Sequence, residues 1–149
     1  MKLTLEVAKR MLNEAERKAK ELGILENIAI VDDGGNLLAF HRMDGARIGG
    51  IQIAVDKAWT ALAMQTPTAA LSETAVPNGP QFGINTTNQG RIVILKGGVP
   101  LVKNGELLGA IGVSGSSGDN DVLVAQAAAA LLQTMPLARI GQSALSAPL

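Results

Sequence analysis

The chain has 149 residues, 13 basic against 13 acidic side chains, 47% hydrophobic residues, 2% aromatics and no cysteine. That length builds one domain with a real core, and the apolar share excludes a disordered chain. Zero net charge, with Phe40, Phe82 and Trp59 the only aromatics, gives neither the basic footprint nor the stacking platform of a nucleic-acid partner. The missing cysteine removes disulfides, thiolate nucleophiles and Cys-ligated zinc.

The N-terminal stretch lacks the apolar run of a signal peptide, and no stretch reaches the roughly 18–20 apolar residues of a membrane span. The expectation is a soluble, cytoplasmic protein with no membrane partner. Thr4 caps a first helix reaching about Leu22, and Gly23 supplies its left-handed end. Val7, Ala8, Met11, Leu12, Ala15, Ala19 and Leu22 recur at helical spacing. On the solvated face, Glu6–Arg10, Glu14–Lys18 and Glu16–Lys20 place acid four residues ahead of base.

Asn27–Val31 and Asn36–His41 read as a hairpin about Asp32-Asp33-Gly34-Gly35, broken by Arg42-Met43-Asp44-Gly45. A second helix follows from about Gly49 to Met64, its small residues Ala54, Ala58 and Ala61 suited to close packing. Thr66-Pro67 opens a short helix through about Glu73. Val76–Gly90 is a long polar loop, a type that is commonly functional. Arg91–Leu95 reads as a short strand, Val99–Lys103 and Glu106–Ser114 as a second hairpin about Asn104-Gly105, and Asp119–Gln133 as the last helix. Residues 1–134 form the single domain; 135–149 form a tail or an arm against another subunit. The order predicts an α+β fold: a central antiparallel sheet of four to five strands flanked by helices, in the manner of profilin or PAS domains.

The richest stretch for chemistry is Gly97 to Leu132. Its glycine- and serine-rich turn gathers backbone N–H groups beside a helix start, a cradle for an anion or carboxylate. It matches neither GxxxxGK[ST] nor GxGxxG, and a GxSxG elbow would need glycine where Ser116 stands. His41 is the single histidine, so no HxxxH pair exists and no metal site is expected. Turn chemistry accounts for Asp32 and Asp33, and helix N-capping for Asp119 and Asp121. Arg42, Asp44 and Arg47 cluster about Gly45, either as an internal salt bridge or as a clamp on a ligand carboxylate. Lys57, on an apolar helix, either snorkels to water or points into a pocket as a cation or shifted base.

Three separated segments are more specific. Val31–Ala46 (VDDGGNLLAFHRMDGA), Lys57–Ala61 (KAWTA) and Gly97–Gly115 (GGVPLVKNGELLGAIGVSG), with Asp121 after them, resemble the GlcG/HbpS-like family over Leu3 to Leu132. That family includes haem-binding HbpS-type proteins, GlcG-type proteins encoded with glycolate-utilisation enzymes, and the C-terminal domain of PduO-type corrinoid adenosyltransferases. The resemblance implies an antiparallel sheet flanked by helices, a homo-oligomer, and a small-molecule or tetrapyrrole ligand with haem the leading named cofactor. It further implies an accessory role in a small-molecule catabolic pathway. A first-helix histidine is an implicated haem ligand in the PduO-type domain, but Thr4–Leu22 has none here, which moves any axial role to His41 or an oxygen donor. The expected pocket combines Arg42, Asp44, Gly45, Arg47 and Lys57 with the Phe82-Gly83 loop. Gly97, Gly98, Gly112, Ser114 and Gly115 complete it. The alternative is an enzyme on a small organic acid, with Lys57 or Asp44 moving a proton.

Overall fold

A computed structural model describes residues 1–137. The elements run α1 (Leu5–Leu22), β1 (Asn27–Asp32), β2 (Leu37–Arg42), α2 (Gly49–Met64), α3 (Thr68–Thr74), β3 (Gly98–Lys103), β4 (Glu106–Ser114) and α4 (Gly118–Thr134). The strands form one antiparallel sheet in the order β2-β1-β4-β3. This is the expected α+β architecture with four strands; Arg91–Leu95 adds none, because Thr60 Oγ1 takes the Val93 N–H that a strand would have paired.

Local chemistry sets the ends. Thr4 Oγ1 accepts from Val7 N–H, and Gly23 closes α1 at φ 71°. Asp32 Oδ1 accepts from the N–H groups of Gly34 and Asn36, which folds the first hairpin turn. Asn104 and Gly105 both adopt positive φ (51° and 79°), as a tight two-residue hairpin demands. The expected Glu16–Lys20 pair forms at 3.9 Å, whereas Glu14 pairs with Arg17 at 2.7 Å in place of Lys18. Pro67 stands one residue before α3, as its cap, and not inside its first turn.

The two faces of the sheet are built differently. Ile28, Ile30, Ile111 and Val113 face α1 and α4 and form an aliphatic core with Met11, Leu12, Val124 and Leu132. The opposite face carries Ala29, Val31 and Ala110 against Ala54, Ala58 and Ala61 of α2. Gly112 lies on that seam, and a Cβ there would stand 2.0 Å from the Ala54 carbonyl oxygen. Small residues thus bring α2 into backbone contact with the sheet. Met135 is buried against the aliphatic core and Leu137 packs beside it; the rest of the expected C-terminal arm lies outside the described residues.

Candidate functional site

A polar cluster lies where α2, α4 and the start of β1 meet. Lys57 is only 2% exposed, although the face it occupies is otherwise alanine-rich. Its Nζ donates to the Val113 carbonyl at 2.7 Å and to Asp121 Oδ2 at 3.2 Å. Gly97, at φ 128°, makes the room: a Cβ there would sit 2.9 Å from Nζ and 2.5 Å from the Val113 oxygen. Burial pulls Lys57 below the usual lysine range, against the opposing pull of Asp121. With both contacts directed inward, Lys57 neither snorkels nor offers an open base.

Asp121 does not cap α4. Ser117 does so, accepting from Asn120 N–H, because it is the last extended residue before the helix. Asp121 turns inward, where Oδ1 accepts from Ser116 N–H at 3.0 Å while Oδ2 meets Lys57. One carboxylate thereby holds the β4–α4 turn to α2.

Glu26 completes the cluster and was missed by sequence reasoning. It is fully buried, and its carboxyl faces that of Asp121, to which it hydrogen-bonds in its protonated form. Burial, together with the facing Asp121, pushes it up to about 9, so it carries its proton at neutral pH; Lys57 and Arg47 pull more weakly the other way. Its neighbour Asn27 is equally buried. Asn27 Nδ2 donates to the carbonyls of Arg47 (2.9 Å) and Ser114 (3.3 Å), while Oδ1 is unpartnered. The available signal was an acid-amide pair opening an apolar strand with no turn residue to explain it.

Above this cluster, surface clefts run along the end of the sheet. One of about 580 Å³ is lined by Glu16, Lys20, Ile24, Leu25, Met43 and the expected pair Arg42 and Asp44. A second, about 280 Å³, shares Ile24 and Leu25 and adds Gly45, Arg47, Gly115 and Ser116. A third, about 290 Å³, shares Arg47 and Gly115 and adds Gly49, Gly50, Ile53 and Ser114. The β2–α2 connection and the β4–α4 turn therefore bring Arg42, Asp44, Gly45, Arg47, Ser114 and Gly115 to three neighbouring clefts. The expected Arg–Asp salt bridge does not form. Arg42 and Arg47 pair with no carboxylate among the described residues, and Arg47 Nη2 donates to the Gly115 carbonyl at 3.3 Å.

The remaining expected residues lie elsewhere. Gly97, Gly98 and Gly112 are buried packing positions; a Cβ on Gly98 would stand 2.4 Å from the Lys57 carbonyl oxygen. Phe82, 68% exposed, and Gly83 belong to the loop after α3 and line none of these three clefts. His41, half-buried on β2, places Nδ1 2.5 Å from Oε1 of Glu16, a residue that lines the 580 Å³ cleft, though His41 itself does not.

The fold and these clefts set the comparison with known proteins. A family model described as haem degrading protein HbpS-like matches residues 3–130. The chain belongs to the HbpS-like family. An uncharacterised 15.0 kDa protein of Citrobacter freundii is 39% identical over 126 residues, 85% of this chain and 89% of that one. Among solved HbpS-like structures, a PduOC–haem complex is 33% identical, covers 87% of this chain and 94% of its own, and gives a TM-score of 0.84. A double mutant of Streptomyces reticuli HbpS is 34% identical, covers 89% and 88%, and gives 0.80. No helix among the described residues is long and apolar enough to cross a membrane.

Proposed function

We propose that the protein is a cytoplasmic, homo-oligomeric binding protein of the HbpS and GlcG type that takes haem or a related tetrapyrrole, as an accessory protein of small-molecule catabolism. The observation that carries the reading is the likeness, over nearly the whole domain, to a chain solved with haem bound. The cleft between α1 and the β2–α2 connection suits such a ligand. Its volume of about 580 Å³ is that of a small-molecule pocket, Ile24, Leu25 and Met43 supply apolar wall, and Lys20 and Arg42 supply cations for propionates. His41, its Nδ1 against Glu16 of the cleft wall, is the histidine available for an axial role, since α1 has none.

Haemin titration of the purified protein tests this reading, with a Soret band expected to saturate at a simple stoichiometry. Arg42→Ala removes a charge-assisted contact worth about 1.5–3 kcal/mol, a loss of roughly tenfold or more in affinity. His41→Ala is expected to move the Soret maximum. A featureless titration, or an Arg42→Ala protein indistinguishable from the parent, would overturn the proposal.

A further inference from the structure

We infer that Asn104 is a self-modification site: the Gly105 backbone nitrogen displaces its side-chain amide, and the isoaspartate product frees the β3–β4 hairpin from the end of α4. The chain holds two Asn-Gly dipeptides, Asn78-Gly79 and Asn104-Gly105. A glycine has no side chain to shield its nitrogen, so that nitrogen can reach the asparagine Cγ. The bond that forms is N–Cγ and the bond that breaks is Cγ–Nδ2; the backbone amide proton leaves with the side-chain nitrogen as ammonia. Water then opens the cyclic imide at either carbonyl. One product is aspartate, the other an isoaspartate whose main chain runs through Cγ. Water is the co-reactant, and no oxidant or cofactor enters.

The structure separates the two dipeptides. Both asparagines are exposed and both sit at positive φ, 67° at Asn78 and 51° at Asn104. Their glycines differ. Gly79 N–H donates to the Val76 carbonyl at 2.7 Å, and a Cβ there would stand 2.2 Å from the Thr74 carbonyl oxygen. That nitrogen is tied down in packed surroundings. Gly105 N–H enters no turn or loop hydrogen bond among the described residues, and nothing lies within 4 Å of a Cβ built on it. The hairpin explains why: Lys103 and Glu106 close the ladder, and the two central residues stand outside it. The nucleophile is free at Asn104 and held at Asn78.

What the hairpin carries gives the reaction its consequence. Lys103 Nζ donates to the carbonyls of Leu132 and Gln133 at 2.9 and 3.1 Å, which satisfies the C-terminal end of α4. Gln133 Nε2 returns a bond to the Val102 carbonyl at 2.7 Å. Isoaspartate lengthens the main chain of a turn that has room for two residues, so the Lys103–Glu106 pairing is lost and Lys103 moves with it. Aspartate adds a charge beside Glu106 but keeps the register. The two products therefore act differently on α4.

The whole protein is aged at mildly alkaline pH, and its peptides are followed by mass spectrometry, with isoaspartate counted by an isoaspartyl methyltransferase. In the folded protein Asn104 is expected to convert roughly tenfold faster than Asn78, the factor supplied by the hydrogen bond that holds Gly79. In urea the two rates should converge. Amide hydrogen exchange then reads the consequence: the isoaspartate fraction should lose protection in the last turn of α4, while Asn104→Asp should keep it. Asn104→Gly, which tolerates the positive φ and has no amide to lose, should age without that loss. Equal conversion at both asparagines in the folded protein, or none at Asn104, would overturn the inference. So would an isoaspartate fraction whose α4 protection matches that of the fresh protein.

Discussion

Replacing Lys57 by methionine isolates the energetics of the buried cluster. Methionine keeps most of the unbranched stem and its packing, but deletes the charge that faces Asp121 at 3.2 Å and the donor to the Val113 carbonyl at 2.7 Å. Asp121, 2% exposed, is then a carboxylate without a countercharge, with only the neutral donors Ser116 N–H and protonated Glu26 beside it. Removing one member of a buried pair in this way costs about 3–5 kcal/mol. Against a typical domain stability of about 5–15 kcal/mol, that is a large fraction, visible as a lower urea midpoint at unchanged slope. Adding Asp121→Asn removes the stranded charge while an amide oxygen still accepts from Ser116, so the double variant should recover a substantial part of the loss. Urea titrations at pH 7 of the parent, both single variants and the double give the coupling directly. A Lys57→Met protein within about 0.5 kcal/mol of the parent, or a double variant less stable than Lys57→Met, would refute the reasoning.

Glu26 predicts a pH profile. Its carboxyl is raised in the fold from 4.5 to about 9, so between those values the unfolded chain binds fewer protons than the folded one. Stability from this group is intact below pH 4.5 and declines as pH rises towards 9, with a limiting slope of about 1.4 kcal/mol per pH unit. Urea midpoints measured across that window should fall for the parent and be flatter for Glu26→Gln; parallel profiles would contradict the assignment. The seam under α2 gives a steric prediction. A methyl on Gly112 meets backbone at 2.0 Å (Ala54 O) and 2.5 Å (Ala58 N), so Gly112→Ala must lift the helix and should exceed the usual overpacking cost of about 1–3 kcal/mol. Gly49→Ala is the matched control, with nothing within 4 Å of its Cβ, and should leave the melting temperature unchanged or slightly higher.

Much of the fold was legible because its signals are local. Thr4, Gly23 and Asn104-Gly105 act within a few residues, and α2 spans Gly49–Met64 as its pattern predicts. Arg91–Leu95 failed for a non-local reason: its apolar residues resemble a strand, yet Thr60 on α2 ties that segment down by its backbone. The site divided along the same line. Arg42, Asp44, Gly45 and Arg47 are consecutive enough for a charged glycine turn to announce a cleft. Asp121 was misread as a cap because its partner Lys57 lies 64 residues away and only the packing of α2 on β4 brings them together. Glu26 had no local signature, since its meaning comes from what buries it.

The glycines that first suggest a backbone cradle divide into two groups, and the division locates the chemistry. Gly97, Gly98 and Gly112 cannot accept so much as a methyl without meeting backbone or Lys57 Nζ, so the space a ligand would need is already filled by α2. Their role is to hold helix and sheet close enough to bury a lysine and two carboxyl groups together. Gly45 and Gly49 lie beyond that seam, where the β2–α2 connection and the β4–α4 turn part and leave clefts lined by Arg42 and Arg47, which have no carboxylate partner among the described residues. Gly115 lines two of those clefts but is itself packed tight, a Cβ there standing 2.3 Å from the Leu25 carbonyl oxygen.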